Sequence, residues 1–258
     1  MAIKTRKISD WLSANGQAIT NASAASMKAY LEQNLRSLQD GVYIGKVQND
    51  GWGTQTGDEN AVIGSYKRIE PWQTTGIGIS SGDADAIVIQ HGGYRLGIAL
   101  TEPSNAMKWG SVQNASSVGY QTSGDLNTFD GSTRTAGIMA SSYYKNDDPA
   151  TYGVAYCWNY MTERTEGSKI CQIGKHNWWL PTMGDLALIH QHFETINLAL
   201  QRIKDAGKQS VSLLQRAGYW SCVEGSGAGA WSLGFDGGYR YGNGKVDSSL
   251  RVRPVTAF

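Results

Sequence analysis

The chain has 258 residues, a formal net charge of +1 and 17% charged residues. A charge so close to zero gives no electrostatic reason to expect nucleic acid or an anionic membrane as a partner. No apolar run approaches the ~20 residues that a membrane-spanning helix needs, so membrane insertion is not expected. The 32 glycines and 9 tryptophans indicate many turns around an aromatic core.

Residues 1–83 are predicted to form an N-terminal helix and a small β segment. The basic start, Met1–Lys7, is followed by polar residues, so no secretion signal is expected. Residues 42–47 are typical of a strand. The helix either packs on its own domain or provides a seam for anchoring or oligomerisation. It is predicted from apolar residues at helical spacing: Met27, Tyr30, Leu31, Leu35 and Leu38.

A second domain is predicted over residues 84–258. It begins with two apolar runs, 86–89 and 94–100, on either side of His91-Gly92-Gly93, which is a hairpin signal. Residues 101–135 are polar and are predicted to be loop. A first helix is expected over 150–160.

A second helix is the clearest predicted element of the chain. Thr182 is its expected N-cap, and Asp185 three residues later completes the pattern of a capping box. Gly207 is expected to end it. An apolar stripe along it is expected to be core: Leu186, Ile189, Phe193, Ile196, Leu200 and Ile203.

The last forty residues alternate between two kinds of residue. Aromatic and β-branched residues are expected to build short strands and to be buried: Trp220, Trp231, Phe235, Val246 and Val252. The residues between them are the Tyr, Ser, Gly, Asn and Arg typical of adaptable binding surfaces. Ten of these are predicted to form one exposed ligand-binding face: Ser226, Ala228, Ser232, Gly234, Tyr239, Tyr241, Asn243, Asp247, Ser248 and Leu250.

The sequence contains no clear metal or redox site, and no cofactor is expected. Cys157, Cys171 and Cys222 cannot all pair with one another, and no Cys-x-x-Cys spacing indicates zinc. Buried free thiols are expected, and a Cys157–Cys171 bridge stays open. His190 and His192 lie two residues apart on the predicted helix and point to different sides, so they do not form a metal pair.

Motifs in a specific order identify a family resemblance: Trp178-Trp179-Leu180-Pro181-Thr182, Gly184-Asp185-Leu186, Tyr219-Trp220-Ser221 and Val252-Arg253-Pro254-Val255. This order resembles bacterial and phage proteins with a C-type-lectin-like fold, in the variant found in formylglycine-generating enzymes. The resemblance covers roughly residues 84–258. It implies an α+β fold with two helices and short antiparallel strands.

Many proteins of this family are variable proteins of diversity-generating retroelements. In these systems a reverse transcriptase rewrites adenines in the codons of a C-terminal variable region, which here corresponds to about residues 219–258. The resemblance further implies that Arg253 is a buried structural arginine; binding of an acidic ligand by Arg251 and Arg253 is the alternative. Glu102-Pro103-Ser104-Asn105 resembles the calcium loop of sugar-binding lectins, but it precedes the helices, so no calcium site is expected.

The resemblance implies a non-enzymatic protein that binds a protein or glycan on a bacterial cell surface, as a phage receptor-binding protein or a surface adhesin. Its expected location is a phage virion or a cell surface reached by another route, and otherwise the cytoplasm. A homotrimer is expected by analogy with phage receptor-binding proteins. One alternative is an enzyme of formylglycine-generating type, which needs a second late cysteine near Cys222. Another is a carbohydrate-binding module of fixed specificity.

Overall fold

The computed structural model describes residues 39–49, 65–72, 84–166, 169–207 and 209–258. The predicted N-terminal helix, with its proposed seam for oligomerisation, lies outside the described residues. The chain divides into two compact units, Met1–Gln39 and Asp40–Phe258. The division at Asp40 differs from the expected boundary at Ala84, because the strand after Asp40 joins the sheet of the larger unit.

The larger unit has a mixed α+β architecture with short antiparallel strands, as expected. Its described strands are β1 (Gly41–Asn49), β2 (Ser65–Pro71), β3 (Ala86–His91), β4 (Tyr94–Ile98), β5 (Thr162–Glu166), β6 (Lys169–Ile173), β7 (Gly218–Glu224), β8 (Gly229–Gly234), β9 (Arg240–Gly244) and β10 (Val255–Ala257). Its described helices are α1 (Gly131–Ala140), α2 (Gly153–Asn159), α3 (Met183–Gln191) and α4 (Phe193–Asp205).

The strands form three antiparallel sheets. The largest has five strands in the order β10-β4-β3-β1-β2. Val255 near the end of the chain pairs with Ile98 of β4, so the C-terminus closes the sheet that β3 and β4 begin. Strands β5 and β6 pair separately, and β7-β8-β9 form a sheet near the C-terminus.

The helices agree only in part with the sequence prediction. The expected loop over 101–135 is wrong at its end, because α1 begins at Gly131 and buries Thr135, Ile138 and Met139. The predicted second helix is two consecutive helices, α3 and α4, which meet at His192. Neither Gly nor Pro marks that break in the sequence. The capping box is present, with Asp185 N donating to Thr182 Oγ1 at 3.1 Å and Thr182 N donating to Asp185 Oδ2 at 2.9 Å.

The core lies between the α3–α4 helices and the five-stranded sheet. The predicted apolar stripe is buried along its whole length, from Leu186 to Ile203. It belongs to one cluster with Val42 and Ile44 of β1, which explains why β1 belongs to the larger unit. Among the described residues, none of the helices is both long and apolar enough to cross a membrane.

Candidate ligand-binding surface

Strands β8 and β9 form a hairpin that carries most of the predicted face. Ser232 pairs with Tyr241, and Ala230 pairs with Asn243. Because side chains alternate along a strand, Tyr241 and Asn243 share one face of β9, and Tyr239 lies just before the strand. Tyr239 is 66% exposed and Tyr241 is 49% exposed.

The remaining exposed positions of the prediction lie next to this row. A Cβ added at Gly229 would lie 3.3 Å from Ser226 Oγ and 3.4 Å from Asn243 O, so Ser226 borders Asn243. A Cβ added at Gly244 would likewise lie 3.5 Å from Asp247 Cβ, so Asp247 borders Gly244. We call the following residues, which are exposed or half-buried, the hairpin surface: Ser226, Ala228, Tyr239, Tyr241, Asn243, Asp247 and Ser248.

Three of the ten predicted residues do not belong to this surface. Ser232 is 1% exposed, and its hydroxyl accepts a hydrogen bond from Asn243 Nδ2 of the neighbouring strand at 2.7 Å. Gly234 is buried because Asp236 and the Tyr241 ring lie over it. Leu250 is half-buried against Gly218 of β7, the strand at the opposite edge of the sheet from β9. The prediction of one exposed face was therefore wrong for these positions.

A small cavity of about 290 Å³ opens within the hairpin surface. Its size is near the lower limit of small-molecule sites. Gly242 borders it, and a Cβ added there would meet nothing within 4 Å. Ser226, Asn243 and Trp231 are among the residues that line it. The surface therefore has relief that a change of side chain at a bordering position would alter.

The loop before α1 borders the hairpin surface at Gly227 and Asp247, which the sequence pattern did not predict. Tyr120 is 47% exposed, and its hydroxyl oxygen would lie 3.1 Å from a Cβ at Gly227. Gln113 Nε2 donates a hydrogen bond to Asp247 Oδ2 at 2.8 Å. Tyr120 stands out in the sequence as an aromatic residue within a polar loop. No local pattern, however, predicts that it lies next to the C-terminal hairpin.

Trp231 is half-buried, where full burial was expected. Its Nε1 donates to Gln121 O at 2.5 Å, and Gly124 lies against its ring. Arg240 donates to the Gly124 carbonyl at 3.2 Å. Among the described residues, a loop covers this side of the hairpin, and the indole keeps part of its surface exposed. Val246 is likewise half-buried.

A buried ion pair fixes the backbone next to the hairpin surface. Lys245 Nζ lies 2.6 Å from Glu224 Oε1, and both side chains are 0% exposed. The ammonium also donates to Ala115 O at 2.8 Å and to Tyr144 OH at 3.3 Å. It lies 4.9 Å from the centre of the Trp109 ring, a cation–π contact. Burial lowers the pKa of Lys245, and the hydrogen bond and charge of Glu224 oppose that shift.

The second oxygen of Glu224 fixes the loop before α1. Glu224 Oε2 accepts hydrogen bonds from Ser117 N and Ser117 Oγ, both at 3.1 Å, and from Val118 N at 3.4 Å. One carboxylate thus connects β7, the residue after β9 and this loop. This network fixes the backbone beside Tyr239 and Tyr241 without using either of those side chains.

Glu102 forms a second buried charge network. Its carboxylate lies 3.1 Å from Arg253 and 3.2 Å from Arg251, and it accepts a hydrogen bond from Tyr219 OH at 2.9 Å. Burial raises the pKa of Glu102, and Arg253 opposes the shift. Arg253 is 1% exposed and also donates to Ala99 O, which gives it the structural role that the resemblance implied. Glu102 therefore forms ion pairs with both Arg251 and Arg253.

All three cysteines are buried, and Cys157 and Cys222 are free thiols, so the Cys157–Cys171 bridge that the sequence left open is not formed. Cys222, considered above as an enzyme nucleophile, is 0% exposed in β7. Burial raises the pKa of the Cys222 thiol well above its usual value, and the charge of Asp185 adds to that rise. A thiol in this setting is poorly suited to act as a nucleophile, since the thiolate is the reactive form. Cys157 is buried in α2, and burial raises its pKa in the same way.

No family model and no curated protein matches this chain. Among solved structures, a fimbrial protein from Bacteroides ovatus is similar over 63% of this chain, with a TM-score of 0.40 and 15% sequence identity. The chain spans 35% of the length of that protein. A similarity of this size assigns neither the fold nor the function.

Substitutions should separate the hairpin surface from the positions that were wrongly assigned to it. Ala228→Tyr is expected to change the free energy of unfolding by less than ~0.5 kcal/mol, because position 228 is exposed. Ser232→Tyr is expected to cost about 1–3 kcal/mol, because a large ring would overpack a buried position. Chemical denaturation measures both variants. Equal losses would show that the hairpin is structural throughout.

Proposed function

We propose that this chain is a non-enzymatic binding protein that presents its hairpin surface to a protein or glycan on a bacterial cell. The observation that carries the proposal is the contrast within one hairpin. Tyr239 and Tyr241 are exposed, whereas the buried Lys245–Glu224 pair fixes the backbone beside them. A surface held in place before binding loses less entropy on association, which favours affinity.

The chemistry of the hairpin surface supports recognition through shape and aromatic contacts. Tyr120, Tyr239 and Tyr241 offer large rings with hydrogen-bonding tips, and few rotatable bonds are frozen when they bind. Ser226 and Asn243 add short polar groups beside them. Asp247 is the charged side chain of this surface, so electrostatic attraction is a minor part of the proposed affinity.

The family resemblance extends the proposal to a variable protein of a diversity-generating retroelement with a C-type-lectin-like fold, acting as a phage receptor-binding protein or a surface adhesin. Variation at Ala228, Tyr239 or Tyr241 would change the ligand contacts and leave the core intact. Burial of Ser232 and Gly234 removes them from the positions that we propose to vary. A carbohydrate-binding module of fixed specificity would use the same surface without variation among copies.

The enzyme alternative receives less support from the geometry. The formylglycine-generating type needs a reactive late thiol, and Cys222 is a buried thiol with a raised pKa. The binding proposal does not depend on this cysteine, so a Cys222→Ser variant that folds should bind as the unmodified chain does.

Binding to whole bacterial cells tests the proposal. Fluorescently labelled protein, added to a panel of bacterial strains, is expected to bind at least one strain saturably. The Tyr239→Ser/Tyr241→Ser double variant is expected to bind at least about tenfold more weakly, because central aromatic residues dominate interface energies. Leu198→Ser is the matched control, since Leu198 is 59% exposed on α4 and lies outside the hairpin surface. Equal binding by the double variant and the unmodified chain would contradict the proposal.

A further inference from the structure

Strand β9 is an edge of the β7-β8-β9 sheet, and β8 pairs with only one side of it. Two backbone hydrogen bonds fix the phase of that pairing: Gly234 N donates to Tyr239 O, and Lys245 N donates to Ala228 O, both at 2.9 Å. Bonded and non-bonded pairs alternate along an antiparallel ladder, so residues 241 and 243 also bond to β8. Residues 240, 242 and 244 therefore direct their N–H and C=O groups away from β8.

This outer edge is open over residues 240–242. Gly244 O accepts a hydrogen bond from Ser248 N at 3.1 Å, so the following turn covers the edge at that end. Arg240 and Gly242 are exposed, and their outward backbone groups have no partner among the described residues. Lysine, proline and bulges commonly protect edge strands, but β9 contains no lysine or proline, and its register with β8 has no bulge. The edge is therefore able to pair with a further strand.

The face of the sheet beside this edge lacks side chains. Gly242 pairs with Trp231, so both lie on one face of the sheet, together with the paired Gly229 and Gly244. These four residues line the cavity of about 290 Å³, and a Cβ added at Gly242 would meet nothing within 4 Å. A strand paired with β9 would place the side chain opposite Gly242 beside this space. An aromatic ring there would fill the room that the glycine leaves, since cross-strand aromatic residues compensate for edge glycines.

Arg240 defines the charge of the missing strand. It lies two residues before Gly242 and therefore on the same face. Its Nη1 donates to the Ser123 and Gly124 carbonyls at 3.3 and 3.2 Å, and within the described part of the chain it forms no ion pair. An acidic side chain opposite Arg240 would supply a counter-charge, because opposite charges at facing strand positions attract.

We propose that β9 binds an extended protein segment as a fourth, antiparallel strand, with an aromatic residue opposite Gly242 and an acidic residue opposite Arg240. Because antiparallel strands run in opposite directions, the aromatic residue comes first in the segment and the acidic residue follows two positions later. The segment exchanges two backbone hydrogen bonds with Arg240 and two with Gly242. Backbone bonds then provide affinity, and alternate side chains provide specificity. Resting on the function proposed above, this makes the ligand of the hairpin surface a protein and not a glycan.

NMR titration of the unmodified chain with a designed pentapeptide tests the pairing without cells. The peptide is acetylated and amidated Thr-Phe-Thr-Glu-Thr, which carries the aromatic and acidic residues in the expected order. We expect saturable shifts of the Arg240 and Gly242 backbone amides. Methylation of the backbone nitrogen of its phenylalanine or its glutamate is expected to weaken binding at least about tenfold, because each removes an N–H that bonds to β9. Methylation of the central threonine nitrogen is the matched control, expected to change binding less than about threefold, since that N–H points away from β9.

Two substitutions at Gly242 test the same edge from the protein side. Gly242→Pro removes the outward N–H, which β8 does not use, so the hairpin is expected to keep its pairing. Gly242→Ala keeps that N–H and adds a Cβ where nothing lies within 4 Å. Peptide binding is expected to weaken at least about tenfold in the proline variant and less than about threefold in the alanine variant.

Absence of saturation by the peptide, or equal weakening by all three methylations, would overturn the strand pairing. The cell-binding test of the hairpin surface keeps its own outcome: cell binding that survives Gly242→Pro and is lost after periodate treatment of the cells would indicate a glycan and contradict this proposal alone. A chain that is a dimer without peptide and becomes a monomer on Gly242→Pro substitution would show that a second copy occupies the edge, which also contradicts the proposal.

Discussion

Lys245→Met is expected to destabilise the protein by about 3–5 kcal/mol. The substitution leaves the Glu224 carboxylate without its counter-ion at a site where both side chains are 0% exposed. A buried charge that loses its partner keeps the full cost of desolvation and loses the attraction that offset it. The free energy of unfolding from urea titration measures the effect.

The double variant Lys245→Met/Glu224→Gln separates charge from packing. Glutamine keeps an oxygen that accepts from Ser117 N and removes the unpaired charge. The double variant is therefore expected to be more stable than Lys245→Met alone. If the single variant loses less than ~1 kcal/mol, the ion pair does not fix the hairpin, and the proposed division between frame and surface fails.

Trp220→Ala is expected to cost about 3–5 kcal/mol, the usual loss for a large buried aromatic side chain. Trp220 is 0% exposed in β7, and its Nε1 donates to Met107 O at 2.8 Å. Tyr239→Ala is the matched comparison, since it also truncates an aromatic residue near this sheet. Tyr239 is 66% exposed, so its loss should be within ~0.5 kcal/mol. Denaturant midpoints for the two variants decide whether the contrast holds.

Local signals in the sequence predicted the elements that depend on neighbouring residues. The Thr182–Asp185 capping box and the buried stripe of α3 and α4 follow from spacings of three and four residues, and both are present. Alternation along the tail predicted that Tyr239 and Tyr241 are exposed and that Trp220 is buried. These features depend only on which face of a helix or strand a residue occupies.

Features that depend on distant partners could not be predicted. Ser232 is small and polar, and only the pairing of β8 with β9 shows that Asn243 covers it. Glu224 and Lys245 come together because β7 and β9 lie in one sheet with β8 between them. The alternation of residue types along the tail does not indicate that the Glu224 carboxylate is buried. Tyr120 joins the surface through the fold of a loop that has no regular pattern of its own.

Sequencing the coding region across a natural population tests the central claim most directly. If the hairpin surface is the part of the protein that varies with the ligand, amino-acid changes should concentrate at exposed positions such as Ala228, Tyr239 and Tyr241. The buried positions Ser232 and Lys245 should stay constant among the same copies. An even spread of changes across the exposed and buried positions of the hairpin would contradict the account.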